Sequence, residues 1–192
     1  MAAAKGLARL WAPWRMAYIE RASAASRSAA GRRGAGAAGC LFCKVARSSA
    51  DREHLVLARR PHALLMLNRF PYNPGHLMVA VRRHAGTFGA LEPPEWGDLM
   101  ALTALAERAL AQEYRPQGMN YGANVGGVAG AGVPGHLHVH LVPRWNGDTN
   151  FMPTIAETRV MPESLARTWA RLRRAVRALE RPAPRRRSRR GR

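Results

Sequence analysis

Lysine is nearly missing from this 192-residue chain: only Lys5 and Lys44 occur, so almost all of the 31 basic residues are arginine. Acids are scarce as well, at 12, and the formal net charge is +19. Such a charge invites a nucleic-acid reading. Arginine in place of lysine, joined to an alanine-rich composition, is equally the mark of a GC-rich coding bias, so the charge alone decides little. Long apolar runs are absent. None approaches the roughly 20 residues of a membrane-spanning helix, and no apolar stretch of a secretory signal is evident. The two cysteines, Cys40 and Cys43, are too few and too close together for a structural disulfide framework. A reducing cytoplasm is the simplest home for them, and no membrane is expected as a partner.

What is present suffices for one domain with a real core, at 47% hydrophobic residues. Three regions are expected. Residues 1–39 form an N-terminal segment, 40–180 the main domain and 181–192 a tail. The first segment is rich in Ala, Arg and Ser with one acid, Glu20, a composition shared with organellar transit peptides. Its WAPWRMAYIE stretch carries aromatics and Pro13 at positions suited to packing, so it is expected to belong to the folded protein as a short helix or turn from Leu7 to about Glu20. RASAASRSAAGRRGAGAAG, Arg21 to Gly39, reads as a flexible loop. The arginine-rich end, RPAPRRRSRRGR, reads as a disordered tail able to hold polyanions weakly through counterion release.

Hydrophobic periodicity places the elements between. HLVLARR and HALLMLN predict two strands around a turn at Arg60-Pro61, and HLMVAV a third after the turn PYNPG. Trp96, Leu99, Met100, Leu102, Thr103, Leu105, Ala106 and Leu110 recur at helical spacing, predicting a helix from about Pro94 to Tyr114, opened by Pro93-Pro94 and closed by Pro116. MNYGANV and HLHVHLV predict a fourth and a fifth strand, and Pro162 to Leu179 a last amphipathic helix. The fold class is therefore α+β, with a mostly antiparallel sheet of about five strands, one long central helix and a C-terminal helix.

The fifth strand carries the chemistry. In GHLHVHLVPRW, His136, His138 and His140 stand at every second position. On a strand, residues two apart share a face, so three imidazoles would stand in a row about 6.6 Å apart while the aliphatics between them enter the core. Such a row is either a metal site or a catalytic one. The preceding loop, GANVGGVAGAGVPG, can bring successive N–H groups close to an anion and so act as a phosphate cradle. Neutral imidazole can attack phosphorus, and a neighbour two residues on can hold or donate a proton to the leaving oxygen.

The pattern GHLHVHLVP resembles the His-X-His-X-His signature of the histidine-triad (HIT) nucleotide hydrolases and transferases, and LNRFPYNPGHLMV followed by RRH resembles the first half of that domain. The resemblance covers about Cys40 to Phe151. LWAPWRMAYIE and VPRWNGDTNF are similar to the bacterial branch of diadenosine-polyphosphate phosphorylases, or adenylyltransferases. It implies that His138 attacks the α-phosphorus and becomes a nucleotidyl-imidazole, while His140 contacts phosphate oxygens and assists the leaving group. The His136 carbonyl would fix the nucleophile's tautomer. Asn68 and Asn124 match nucleotide-contacting positions, and His76 lies beside the site. Gly132 stands in the substrate loop where some dinucleotide hydrolases carry Gln, a departure that weakens direct transfer of the dinucleoside triphosphate hydrolase mechanism and leaves phosphate or water as the acceptor. His140, where the hexose-1-phosphate uridylyltransferase branch has Gln, argues against that branch.

Cys40 and Cys43 alone read equally as buried thiols or a redox pair. Zinc in a closed structural site needs four ligands. The resemblance supplies two more, His84 and His136, with His54 as the alternate. No organic cofactor is implied, and a homodimer is, through the long helix (Trp96 and the apolar positions after it) and an edge strand. The rival readings are a noncatalytic nucleotide-binding or signalling module, a hydrolase of nucleoside phosphoramidates, and a zinc-dependent hydrolase using the three histidines as ligands.

Overall fold

The computed structural model describes residues 37–148 and 163–181. The expected N-terminal packing segment and nearly all of the loop after it, the residues just past Asp148, and the arginine-rich tail beyond Arg181 lie outside the described residues.

Five strands form one sheet: β1 (Val56–Arg59), β2 (Ala63–Leu67), β3 (Leu77–Val81), β4 (Gly118–Gly122) and β5 (His138–Arg144). Their order is β1-β2-β3-β5-β4, and every neighbouring pair is antiparallel. The α+β expectation holds, as do the five strands. The helices are α1 (Leu41–Arg47), α2 (Pro93–Tyr114) and α3 (Leu165–Glu180). The last two match the periodicity closely, whereas α1 carries no helical pattern in the sequence that would announce it.

Each face of the sheet has its own cover. Leu65, Leu67, Val79, Val81 and Leu141 pack under Leu99, Leu102, Ala106 and Leu110 of α2 and Leu172 and Val176 of α3. On the other face Leu64, Met66, Met78 and Ala80 meet Phe42 and Val45 of α1. Register decides which face receives the histidines. Met78 lies opposite His140 and Ala80 opposite His138, so both imidazoles rise on the α1 side, while Leu141, opposite Leu77, goes into the helix-covered core. The strand itself begins at His138, so His136 stands just before it.

The long helix starts where its sequence says it should. Pro93 stands at its first position and Glu92 with Glu95 forms a capping box. Arg83 grips Glu95 through Nε and Nη2, at 2.8 and 2.6 Å, tying the helix start to the segment that carries His84. At the other end Arg115 takes a left-handed conformation before Pro116, which cannot continue a helix.

The two sheet edges differ. On β1, the Val56 carbonyl accepts from Trp169 Nε1 at 3.0 Å and the Leu57 carbonyl accepts from Arg173, both donors on α3. On β4 nearly every residue is exposed.

Candidate active site and metal centre

His136, His138 and His140 come together as expected. The phenyl ring of Phe42, the residue between Leu41 and Cys43, packs on His136 and His138 with ring centroids 5.1 and 4.7 Å away, and the His138 and His140 centroids are 4.9 Å apart. One row of identical residues is split into two tasks by what each ring meets.

His138 Nδ1 lies 2.8 Å from the His136 carbonyl oxygen. A carbonyl only accepts, so Nδ1 carries the proton and Nε2 keeps its lone pair. Burial holds the His138 imidazole below its ordinary pKa, opposed in part by that hydrogen bond. The ring is therefore neutral near pH 7, with a nucleophilic nitrogen fixed in direction.

A second chain of hydrogen bonds sets His140. The Tyr72 backbone N–H donates to His76 Nδ1 at 3.1 Å, which puts the His76 proton on Nε2. That nitrogen is 2.9 Å from His140 Nδ1 and donates to it. His140 must then carry its own proton on Nε2, where it can meet an oxygen of a bound phosphate. Burial, reinforced by each ring's neighbouring histidine, lowers His76 to about 3 and His140 to about 4. Asn68, held by its Oδ1 accepting the Phe70 N–H at 2.9 Å, sets its Nδ2 3.4 Å from His76 Nδ1. Asn68 and His76 thus join the site. Asn124 bonds inside the glycine-rich loop, to the Gly130 carbonyl at 3.3 Å, and a side chain at Gly132 would meet open space.

The His136 ring faces elsewhere. Its Nε2 lies 2.8 Å from the Val81 carbonyl and must donate to it, so Nδ1 presents a lone pair toward Cys40 Sγ at 3.2 Å and Cys43 Sγ at 3.6 Å. His84 Nδ1 is 3.4 Å from Cys43 Sγ. The donor atoms of Cys40, Cys43, His84 and His136 all lie within 4.8 Å of one another, and both cysteines are free thiols. Tetrahedral zinc, with Zn–S of about 2.3 Å and Zn–N of about 2.0–2.1 Å, needs donors roughly 3.3–3.8 Å apart. The set fits it in number, softness and tautomer. Val81 supplies the outer hydrogen bond that a metal-bound imidazole requires. His54, the alternate ligand, is not in the cluster.

Two segments must run back to back for this cluster to form. The Leu137 N–H donates to the Ala85 carbonyl at 2.7 Å, and a Cβ on Gly86 would stand 3.1 Å from the Gly135 Cα. Gly135 itself has φ +82, open to glycine at little cost. Glycine on both sides lets His84 and His136 approach.

Sequence reasoning missed three contributors. Phe42 was hidden inside a cysteine pair read for its thiols, Tyr72 inside a turn, and Gly86 beside a histidine noted only as a ligand. The Phe42 signal was available: a large aromatic between two cysteines that must face a histidine row.

The family model described as HIT domain matches residues 50–147. The chain belongs to the HIT family. It is 40% identical over 179 residues to an AP-4-A phosphorylase of Mycobacterium tuberculosis, an alignment covering 86% of each chain. It is 30% identical over 93 residues to a bis(5'-nucleosyl)-tetraphosphatase (asymmetrical) of Schizosaccharomyces pombe, covering 48% of this chain and 50% of that one. Among solved structures, a Zn-bound histidine triad family protein from Mycobacterium smegmatis superposes with a TM-score of 0.60 at 26% identity, covering 75% of this chain and 97% of that one. This chain is a HIT enzyme, and its fold is the HIT fold.

Proposed function

We propose that this HIT enzyme cleaves adenine dinucleoside polyphosphates at the α-phosphorus through a covalent nucleotidyl-His138, with orthophosphate as the acceptor. The observation that carries the reading is the bond from His138 Nδ1 to the His136 carbonyl, which leaves Nε2 as the one nitrogen of that ring free to form a bond to phosphorus. In the first displacement Nε2 bonds to the α-phosphorus while the bridging P–O bond breaks. The departing polyphosphate takes the electron pair, and Nε2–H of His140 hydrogen-bonds the leaving oxygen. In the second, a phosphate oxygen attacks the same phosphorus, the P–N bond breaks and His138 regains its lone pair. Diadenosine tetraphosphate plus phosphate thus becomes ATP plus ADP. Similarity to a protein named AP-4-A phosphorylase favours phosphate over water.

Asn68 is assigned to the ribose, and Asn124 and the loop at Gly132 are assigned to contacts near the nucleotide. Cys40, Cys43, His84 and His136 would hold zinc, which when bound supplies structural cross-linking and no chemistry on phosphorus. Two free thiols suit a reducing cytoplasm, and no helix among the described residues is long and apolar enough to cross a membrane. The exposed β4 edge, with Trp96 and Met100 at 39% and 55% exposure on α2, supports a homodimer through that side.

Incubation with diadenosine tetraphosphate, with and without phosphate, tests the reaction. ADP plus ATP formed only with phosphate supports it. AMP plus ATP, or two ADP, would make the protein a hydrolase, and no product with tight AMP binding would make it a noncatalytic module.

A further inference from the structure

The proton arrangement of His76 and His140 is held from outside the pair. Asn73, Pro74, Gly75 and His76 form a tight turn. The His76 N–H donates to the Asn73 carbonyl at 3.1 Å, proline stands second, and Gly75 takes φ +78 in third place. These are the features of a type II turn. The turn delivers His76 to the sheet, and the Tyr72 N–H that bonds His76 Nδ1 comes from the residue just ahead of it.

The Asn73 side chain leaves the turn altogether. Its Nδ2 donates to the Pro143 carbonyl at 3.0 Å and to Asp148 Oδ2 at 2.9 Å. A carbonyl and a carboxylate only accept, so the amide has one orientation and both of its hydrogens are used. The β3–β5 ladder ends at the Leu77–Leu141 pair, so Asn73 takes up a carbonyl on a part of β5 that β3 no longer meets. Asp148 is itself fixed. Arg144 Nε and Nη2 grip its two oxygens at 2.6 and 2.8 Å, the Trp145 N–H adds a bond at 3.1 Å, and its side chain is largely buried. Asn73 therefore ties the turn to a rigid end of the strand that carries His140.

The His76–His140 pair has two possible proton arrangements. With the Tyr72 N–H on His76 Nδ1, His76 donates through Nε2 and His140 keeps its own proton on Nε2. Without that N–H, His76 can carry its proton on Nδ1, accept from His140 Nδ1 and leave His140 Nε2 bare. The first arrangement alone offers a leaving oxygen a hydrogen bond. We infer that Asn73 is the positioning residue that selects it: by tying the turn to the end of β5, it keeps the Tyr72 N–H on His76 and the His140 proton on Nε2. The use of that proton on a leaving group rests on the reaction proposed above; the arrangement itself does not.

Nitrogen-15 NMR of the imidazoles, in the full-length protein without substrate, reads the arrangement directly. At pH 7 both rings are neutral, so the shifts report the tautomer and not the charge. In the wild type each ring shows one tautomer, protonated at Nε2. Asn73→Asp keeps the shape and a residue type favoured at the first turn position, but removes both donors. Its Nδ1 and Nε2 shifts converge in both rings as the second arrangement becomes populated. Asn73→Ser, equally suited to the turn and too short to span both acceptors, does the same, and replaces the Asp variant should that one fail to fold. Asn120→Ala removes an acceptor from Arg144 without touching the turn, and leaves the tautomers as they are. In turnover, the Asn73 variants lower kcat for diadenosine tetraphosphate about three- to tenfold, the scale of one net hydrogen bond. KM moves less, and the p-nitrophenyl ester of AMP, whose leaving group needs little help from an acid, loses less. Wild-type shifts in the Asn73 variants overturn the inference. So do a wild-type His140 protonated at Nδ1, converged shifts in Asn120→Ala, or equal kcat losses on both donors. If the wild-type protein turns over neither donor, the proposed reaction fails, and the NMR shifts alone decide the role of Asn73.

Discussion

His76 Nε2 stands 2.9 Å from His140 Nδ1, and the proton between them belongs to His76 because its other nitrogen already accepts the Tyr72 N–H. The protonated face of His140 is thus set by a backbone amide four residues before His76. In the proposed reaction His76 is a positioning residue. Replacing it with Ala lowers kcat about 10–100-fold, as loss of an orienting partner of a functional imidazole does. His140→Ala costs about 10²–10⁴-fold and weighs most on poor leaving groups. The double variant is no worse than His140→Ala, because His76 acts through His140. Additive losses in steady-state kinetics would separate the two residues.

In the proposed reaction, His138→Ala removes the bond-forming atom. Turnover falls by more than about 10³-fold while nucleotide binding remains measurable, since a nucleophile acts in the chemical step and not in ground-state affinity. Labelled AMP trapped on acid-quenched wild-type protein disappears in the variant. Activity within about tenfold of wild type would remove His138 from the role.

Acid weakens the fold through the same histidines. In the unfolded chain His76 and His140 take up protons as pH falls through about 6.5, whereas in the folded protein they stay neutral down to about 3 and about 4. The unfolded state therefore binds more protons across that window, so the stability present above pH 6.5 is lost progressively as pH falls toward 4. Thermal midpoints fall by several degrees between pH 7 and pH 5, and His76→Gln flattens the slope. A midpoint independent of pH over that range contradicts the buried-neutral assignment.

Metal analysis tests the cysteine–histidine cluster. Protein purified without chelator contains about one zinc per chain, and Cys40→Ser loses both metal and thermal stability, because a structural zinc contributes folding free energy directly. His136→Ala resembles it in stability and also disturbs its neighbour His138. Full zinc retained by Cys40→Ser, or none in the wild type, rules out the four-ligand site.

Gly86 offers a test that touches no ligand. Valine there drives a side chain into the Gly135 backbone, 3.1 Å from where the first carbon would sit. The cost is that of overpacking, about 1–3 kcal/mol, and it separates His84 from His136. Gly86→Val lowers zinc occupancy as well as the unfolding midpoint measured in denaturant. Wild-type zinc content in a destabilised variant would show that the two segments need not touch for the site to form.

Periodicity carried most of the fold into view. Short apolar runs bounded by turn residues marked β1, β2 and β3, alternation marked β5, and a 3.6-residue repeat marked α2 and α3, which are long enough to show a period. Helix α1 has seven residues, and Cys40 at its N-cap makes no side-chain capping bond, so neither a repeat nor a start signal betrays it. The site was legible as far as residue types could take it: three histidines, two cysteines, Asn68, His76 and His84. Why the His136 ring turns to sulfur while the His138 ring bonds the His136 carbonyl was not legible. Their spacing is identical, and the difference is made by Cys40, 96 positions away. The part played by Tyr72 was hidden for another reason: it works through a main-chain amide, which every residue but proline carries.

Sealing one margin of the sheet sets a limit on how copies of this chain can associate. Trp169 and Arg173 already bond the Val56 and Leu57 carbonyls of β1, which disfavours addition of a further strand on that flank. Among the described residues, the β4 flank is largely exposed. A second copy pairing there by twofold symmetry consumes the open margin of both, and what remains outside is two sealed flanks. In the proposed homodimer, growth by strand addition would therefore stop at two copies.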